Sequence, residues 1–486
     1  MNRRGMTLVE MLVAMTATLV LMAAVAQAFG VFGLAISGSR AVLELDARMR
    51  TAAWRLRSDL AGATARLVPP LSPESGEGYF EIIEGVATDG DAAHNATVGP
   101  ADHDDVLLFT TRSNDAPFIG RQPTDTKTAD SMIDSFESTQ AEVAWFARAT
   151  PGTSNPVTYT LYRRQLLVMG YVGTSPFHSG IGSNNSMTWA AAGSSWAAYF
   201  NLPLDVSVRR ERNGDEDRLF PNTLADLTKR ENRFMHNVDG LTGVNGFPFA
   251  FVNHQLDSED PAKEQEDLPK AIEGLIFDRN SQRQGEDVVL TNVLAFDVRV
   301  FDPVVPVVAS PVAGTPLVPG DTGYSSSDKV IGSGAYVDLG YTDKGAIVPN
   351  SELTPVPLGA RNVGHFSGSP QNRSQLGSGK QGVYDTWSTH YEANGLDEDG
   401  DGVPDDGTDG IDNDGDGKVD EPPVDVSGSG ANDGNAYNEP GDDPGELETS
   451  PPYPYPLRGI EVRIRCYEPA SRQVRQVTVR HTFVPH

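Results

Sequence analysis

Two hydrophobic periods divide this chain. From Met11 to Ile36 there is no charge, and only Thr16, Thr18 and Gln27 interrupt the apolar run. As a helix this stretch rises about 39 Å, enough to cross a hydrocarbon core of about 30 Å. From Ala41 to Leu67 the pattern turns amphipathic, with Leu43, Leu45, Met49, Trp54, Leu56, Leu60 and Leu67 set among Arg and Asp. Pro69-Pro70 ends it. The pattern predicts one helix over residues 6–68, transmembrane over about 11–36, roughly 90 Å long.

Beyond the prolines the period falls to two. Residues 104–111, 141–148 and 157–169 read as strands between Gly, Pro, Asn and Ser. In 292–301, Leu294, Phe296, Val298 and Val300 alternate with Asp297 and Arg299. In 459–467, Ile460, Val462, Ile464 and Cys466 share a face; Glu468-Pro469-Ala470-Ser471 is a turn, and 474–484 returns, so 457–484 is a β-hairpin. Cys466 reads as a buried core thiol. Thr223 to Phe234 is a short helix candidate with Thr223 as N-cap after Pro221. Segments 303–383 and 422–456, rich in Gly, Pro and Ser, read as long surface loops, and 170–290 as a further insertion. The expected fold class is α+β, a long N-terminal helix packed on a mostly antiparallel β head spanning 69–486.

Charge narrows the partners. The 486 residues carry 38 Lys and Arg against 67 Asp and Glu, a net −29. Nucleic acid, whose phosphates call for cations, is not an expected partner. With one cysteine no internal disulfide forms, so an exported domain must rely on its core or on metal.

The stretch before the apolar run is the most specific. Arg3 and Arg4 place the N-terminus in the cytoplasm and the head outside. Ala26-Gln27-Ala28 has the small residues of a signal-peptidase site, but the apolar run is too long for a cleaved signal peptide. Glu10 sits near the start of that run, where a lone charge costs several kcal/mol. Arg4-Gly5-Met6-Thr7-Leu8-Val9-Glu10 resembles the processing site of type IV prepilins and type II secretion pseudopilins, with Met6 where that family usually has Phe. The resemblance implies that residues 1–5 are a leader. A prepilin peptidase cuts between Gly5 and Met6, and the new amine is N-methylated. It also gives Glu10 a partner, the N-terminal ammonium of a neighbouring subunit, which sets helix register during assembly. The implied shape is a lollipop. The implied partners are other pilin-like subunits, the peptidase and an inner-membrane assembly platform. The strand order of the head resembles PilW-type minor pilins and J-type minor pseudopilins.

A second feature lies in 395–422. Asp397, Asp399, Asp401 and Asp405 stand at relative positions 1, 3, 5 and 9, with Gly402 at 6. Asp412, Asp414, Asp416 and Asp420 repeat this, with Gly417 at 6. Calcium takes six to eight hard oxygens from a loop that turns sharply at such a glycine. Val403 and Lys418, at position 7, offer backbone carbonyls. The units resemble the DxDxDG loops of EF-hands, dockerins and thrombospondin type 3 repeats. Position 12 is Thr408 or Pro423 rather than Glu, which argues against a helical EF-hand. The expected cofactor is Ca2+.

No catalytic signature is present: there is no G-x-S-x-G, H-E-x-x-H or C-x-x-C. Asp102-His103-Asp104-Asp105 reads as a polar loop entering a strand. The expectation is a non-enzymatic minor pilin or pseudopilin, single-pass in the inner membrane before it joins a pilus or pseudopilus. The alternative is a membrane-anchored, extracytoplasmic calcium-dependent binding protein that never joins a filament.

Overall fold

The computed structural model describes residues 7–68, 75–84, 102–113, 115–123, 133–150, 157–168, 187–188, 199, 202–213, 216–228, 232–234, 285–310, 314–321, 323–325, 327–341, 365–366, 383–386 and 455–483. Helix α1 runs from Leu8 to Ala61, 54 residues, about 81 Å. Thr7 caps it: the Glu10 amide donates to Thr7 Oγ1, and the Thr7 amide donates back to the Glu10 carboxylate, a complete capping box.

The helix stops at Gly62, seven residues short of the first proline. The cause is tertiary. The Gly62 carbonyl accepts from the Arg112 amide at 2.7 Å and the Thr64 amide donates to the Thr110 carbonyl at 3.0 Å. A Cβ at Gly62 would lie 2.1 Å from the Arg112 carbonyl oxygen, so only glycine lets the chain approach this closely.

The strands follow as β1 (Phe80–Ile83), β2 (Val106–Arg112), β3 (Phe118–Pro123), β4 (Ile133–Ser138) and β5 (Gln140–Ala149). Next come β6 (Tyr159–Val168), β7 (Met187–Thr188), β8 (Val208–Asn213), β9 (Glu216–Pro221) and β10 (Val288–Ala309). The series closes with β11 (Pro316–Leu317), β12 (Val330–Val337), β13 (Val383–Asp385), β14 (Gly459–Glu468) and β15 (Gln473–Thr482). The main sheet has the order β13-β1-β2-β5-β6-β10-β14-β15, with β11 and β12 on the second half of β10. Its strand pairs are antiparallel. Strands β3 and β4 form a separate hairpin, and β7, β9 and β8 a three-stranded sheet. The fold is α+β, a long N-terminal helix against a large antiparallel sheet.

One face of that sheet covers α1. Leu45, Met49, Ala52, Ala53, Leu56 and Leu60 recur at helical spacing and join Phe80, Phe109, Trp145, Phe296, Val298, Val462 and Ile464 in one core. Leu43 and Trp54, which the sequence pattern groups with these residues, are instead 66% and 62% exposed. The hairpin at 457–484 forms with Gly459 opposite Thr482 and Glu468 opposite Gln473. Cys466 is buried, and burial pushes its thiol up to about 12.

Two segments differ from their compositional reading. Within 303–383, β10 continues to Ala309 and β12 pairs with it. Pro303 and Pro306 fit because the register shifts between Asp302 and Pro306, and a bulge spares the amide that proline lacks. Among the described residues, the helix expected from Thr223 to Phe234 is a 3-10 turn at Asp226–Thr228. Thr223 does cap it through Asp226. The Asn232 amide then donates to the Asp226 carbonyl and the Arg233 guanidinium to those of Leu227 and Thr228. Those carbonyls are thus satisfied by side chains.

Arg233 also fastens this insertion to the main sheet. It is fully buried, 2.7 Å from Asp385 and 3.4 Å from Glu81, and stacks over the Tyr79 ring at 4.2 Å. Glu142 accepts from the Tyr79 hydroxyl, Ser207 hydroxyl and Phe234 amide.

Candidate functional site

The functional surface is α1 itself. Over Leu8–Gly30, 23 residues, none of the apolar surface is buried against the head. That length spans about 35 Å, more than a bilayer core. Two of the three polar interruptions, the threonines, are silenced within the helix. The Thr16 hydroxyl donates to the carbonyls of Leu12 and Val13, and Thr18 to those of Ala14 and Met15. No hydroxyl proton is left facing lipid.

Glu10 stands exposed at the first turn. Its Oε2 accepts from the Thr7 amide at 2.9 Å and the Thr7 hydroxyl at 3.0 Å. A carboxylate there also meets the positive end of the helix dipole. Glu10 therefore closes its own helix. Thr7, which sequence reasoning left without a role, shares this task; the signal was the T-x-x-E spacing.

At its other end α1 is locked to the sheet. Arg163 of β6 donates to both Asp59 oxygens, at 2.7 and 2.8 Å, and Trp145 Nε1 donates to Asp59 at 3.0 Å. Asp59 and Arg163 are both buried. The Thr111 hydroxyl donates to the Asp59 backbone carbonyl at 2.7 Å. Sequence reasoning missed this latch, since Asp59 reads as one of several polar residues on the helix. Leu43 and Trp54 flank the docked segment; Trp54, with Ile119 and Val288, rims an open cleft of about 750 Å³.

The other predicted site residues lie outside the described residues. These are Gly5 and Met6, and the calcium positions Asp397, Asp399, Asp401, Val403, Asp405, Asp412, Asp414, Asp416, Lys418 and Asp420.

An exposed apolar helix preceded by a basic, glycine-containing stretch is the pattern of a membrane-anchored precursor of pilin type. Residues 1–26 match the family model described as prokaryotic N-terminal methylation motif. The chain carries the type IV prepilin-like signal, which supports a pilin-like precursor processed by prepilin peptidase and anchored by a single membrane pass. No curated protein and no solved structure matches it.

Proposed function

We propose that this chain is a minor pilin or pseudopilin, an assembly subunit of a type IV pilus or type II secretion-like filament. The observation that carries the proposal is a helix that pairs a methylation-motif start with apolar surface its own head leaves uncovered. That surface is lipid-facing before assembly and helix-facing after it. Cleavage between Gly5 and Met6 brings the new ammonium close to Glu10 of a neighbouring subunit, where opposite charges repay the cost of burial. Arg3 and Arg4 hold the leader in the cytoplasm, so the head is periplasmic or extracellular.

Size favours a sparing role. A head spanning 69–486 has a radius of gyration near 22 Å, whereas packed helices sit about 8–10 Å apart. Such heads crowd one another if every subunit carries one. The two aspartate loops at 397–420 add calcium binding to this proposal, on their ligand spacing alone.

Two measurements test it. Mass spectrometry of the mature chain is expected to find an N-methylated Met6 start. Site-specific crosslinking from the first turn of α1 is expected to capture other pilin-like subunits. An intact Met1 start, a cut near Ala28, or a chain that stays monomeric in the membrane overturns the reading.

A further inference from the structure

The Asp102–Asp105 segment is the polar loop entering β2 that its composition suggests, but its carboxylates are turned away from water. Asp102, Asp105 and Glu84 are buried, as are Asp297 and Asp338. They meet where β10 changes partners. Strand β6 pairs with β10 as far as Val293, and β12 pairs with it from Val300 onward. The gap is filled by the chain entering β2: the Phe296 amide donates to the Asp102 carbonyl at 3.0 Å, and the Val298 amide to Asp105 Oδ2 at 2.6 Å.

The carboxylates converge. One oxygen from each of Glu84, Asp102 and Asp338 lies within 4.8 Å of the others, and so does one from each of Asp102, Asp105 and Asp297. Arg299 answers part of this charge, 2.8 Å from Asp338 and 3.4 Å from Asp297, and Arg463 lies 3.6 Å from Asp297. Neither arginine accounts for Asp102 and Glu84. Asp102 is 0% exposed and neither of its oxygens accepts a hydrogen bond; Glu84 Oε2 accepts from the Leu339 amide, while Oε1 accepts none. A buried carboxylate with no donor costs several kcal/mol. Burial and the neighbouring carboxylates raise the proton affinity of both groups well above the usual range.

We propose that this cluster is a calcium site, with Asp102 as the ligand shared by the two triads. Calcium–oxygen bonds of 2.3–2.6 Å place opposite ligands about 4.6–5.2 Å apart and adjacent ones closer. The oxygens of each triad lie within 4.8 Å of one another, near enough to share one ion, and an all-protein carboxylate set suits calcium, whereas magnesium keeps several waters. Asp102 supplies two oxygens and Glu84 Oε1 a third, with Asp105, Asp297 and Asp338 completing a hard-oxygen set. The ion ties the end of β1, the start of β2 and the end of β12 to the middle of β10. None of these residues belongs to the loops at 397–420.

The test uses the full chain in detergent, with Asp399→Asn, Asp401→Asn, Asp414→Asn and Asp416→Asn to silence the loops. After dialysis against about 1 mM calcium, an extracellular-range concentration, elemental analysis is expected to find at least one calcium per chain. Asp102→Asn in that background is expected to remove it. Melting adds a readout that a merely structural carboxylate does not move. In chelator, Asp102→Asn is expected to melt above its parent, because a repelling charge is gone. In calcium, it is expected to melt below it. Loss of bound calcium together with this crossover supports the site. No calcium on the loop-silenced parent overturns it, as does an Asp102→Asn chain that keeps its metal or shifts the same way in both buffers. If Asp102→Asn does not fold, Glu84→Gln is read by the same criteria.

Discussion

Asp59→Ala probes how the head is held on the helix. The wild-type carboxylate takes two hydrogen bonds from Arg163 and one from Trp145 Nε1, all at 2.7–3.0 Å, in a site where Asp59 is 2% exposed. Removing it leaves the guanidinium buried with Gln165 Oε1, 3.0 Å away, as its neighbour, and strips the indole N–H of its acceptor. Breaking one partner from a buried pair costs about 3–5 kcal/mol. The orphaned indole is part of that same loss. Against a total stability of about 5–15 kcal/mol, this is a large fraction. The assay is urea unfolding of the full chain in mild detergent, followed by near-UV circular dichroism. The double variant Asp59→Leu with Arg163→Met is expected to recover to within about 1–2 kcal/mol of wild type, since apolar replacement of a whole buried pair is often near neutral. A cost for Asp59→Ala below about 1 kcal/mol, or an Arg163→Met penalty that is the same with and without Asp59, refutes the latch.

Glu10→Ala is expected to leave membrane insertion and processing largely intact and to reduce incorporation with partner subunits. Normal assembly of that variant removes the pairing role. Glu10→Gln separates the two tasks, keeping an acceptor for Thr7 while losing the charge; it is expected to assemble poorly with the helix start intact by amide exchange. For the loops at 397–420, Asp399→Asn, Asp401→Asn, Asp414→Asn and Asp416→Asn are expected to remove a calcium-specific rise in melting temperature beyond that of Asp102→Asn, with affinity on the order of 10⁻⁴ M; calorimetry without any loop-dependent heat shows an acidic linker. Glu142 tests a buried acid by pH. Burial holds its carboxyl above the usual range despite donors from Phe234, Tyr79 and Ser207. An acid with a raised folded pKa favours the folded state below its unfolded value of about 4.3 and loses that contribution as pH rises. Glu142→Gln is therefore expected to gain on wild type in melting temperature from about pH 4 to pH 8, and a gap independent of pH contradicts the assignment.

What the sequence determined by itself was local. An uncharged run long enough for a bilayer, the T-x-x-E cap and the basic glycine leader depend on residues within a few turns, so α1 and its signal were legible. The same holds for β14 and β15, where alternation and a short turn specify the register. Partnership across distance was not legible. Asp59 and Arg163, 104 positions apart, look like ordinary polar residues until the helix docks, and the sheet then removes both from water. Leu43 and Trp54 have the hydrophobicity of core residues, but the sheet is on the other side of the helix. The helix ends at Gly62 rather than at Pro69 because β2 captures the chain first. Asp102 and Glu84 carry the polarity of a surface loop, and only the exchange of β6 for β12 along β10 encloses them. Periodicity reports which residues share a face; burial depends on what the rest of the chain brings to that face, and charge becomes costly enough to direct chemistry only once that has happened.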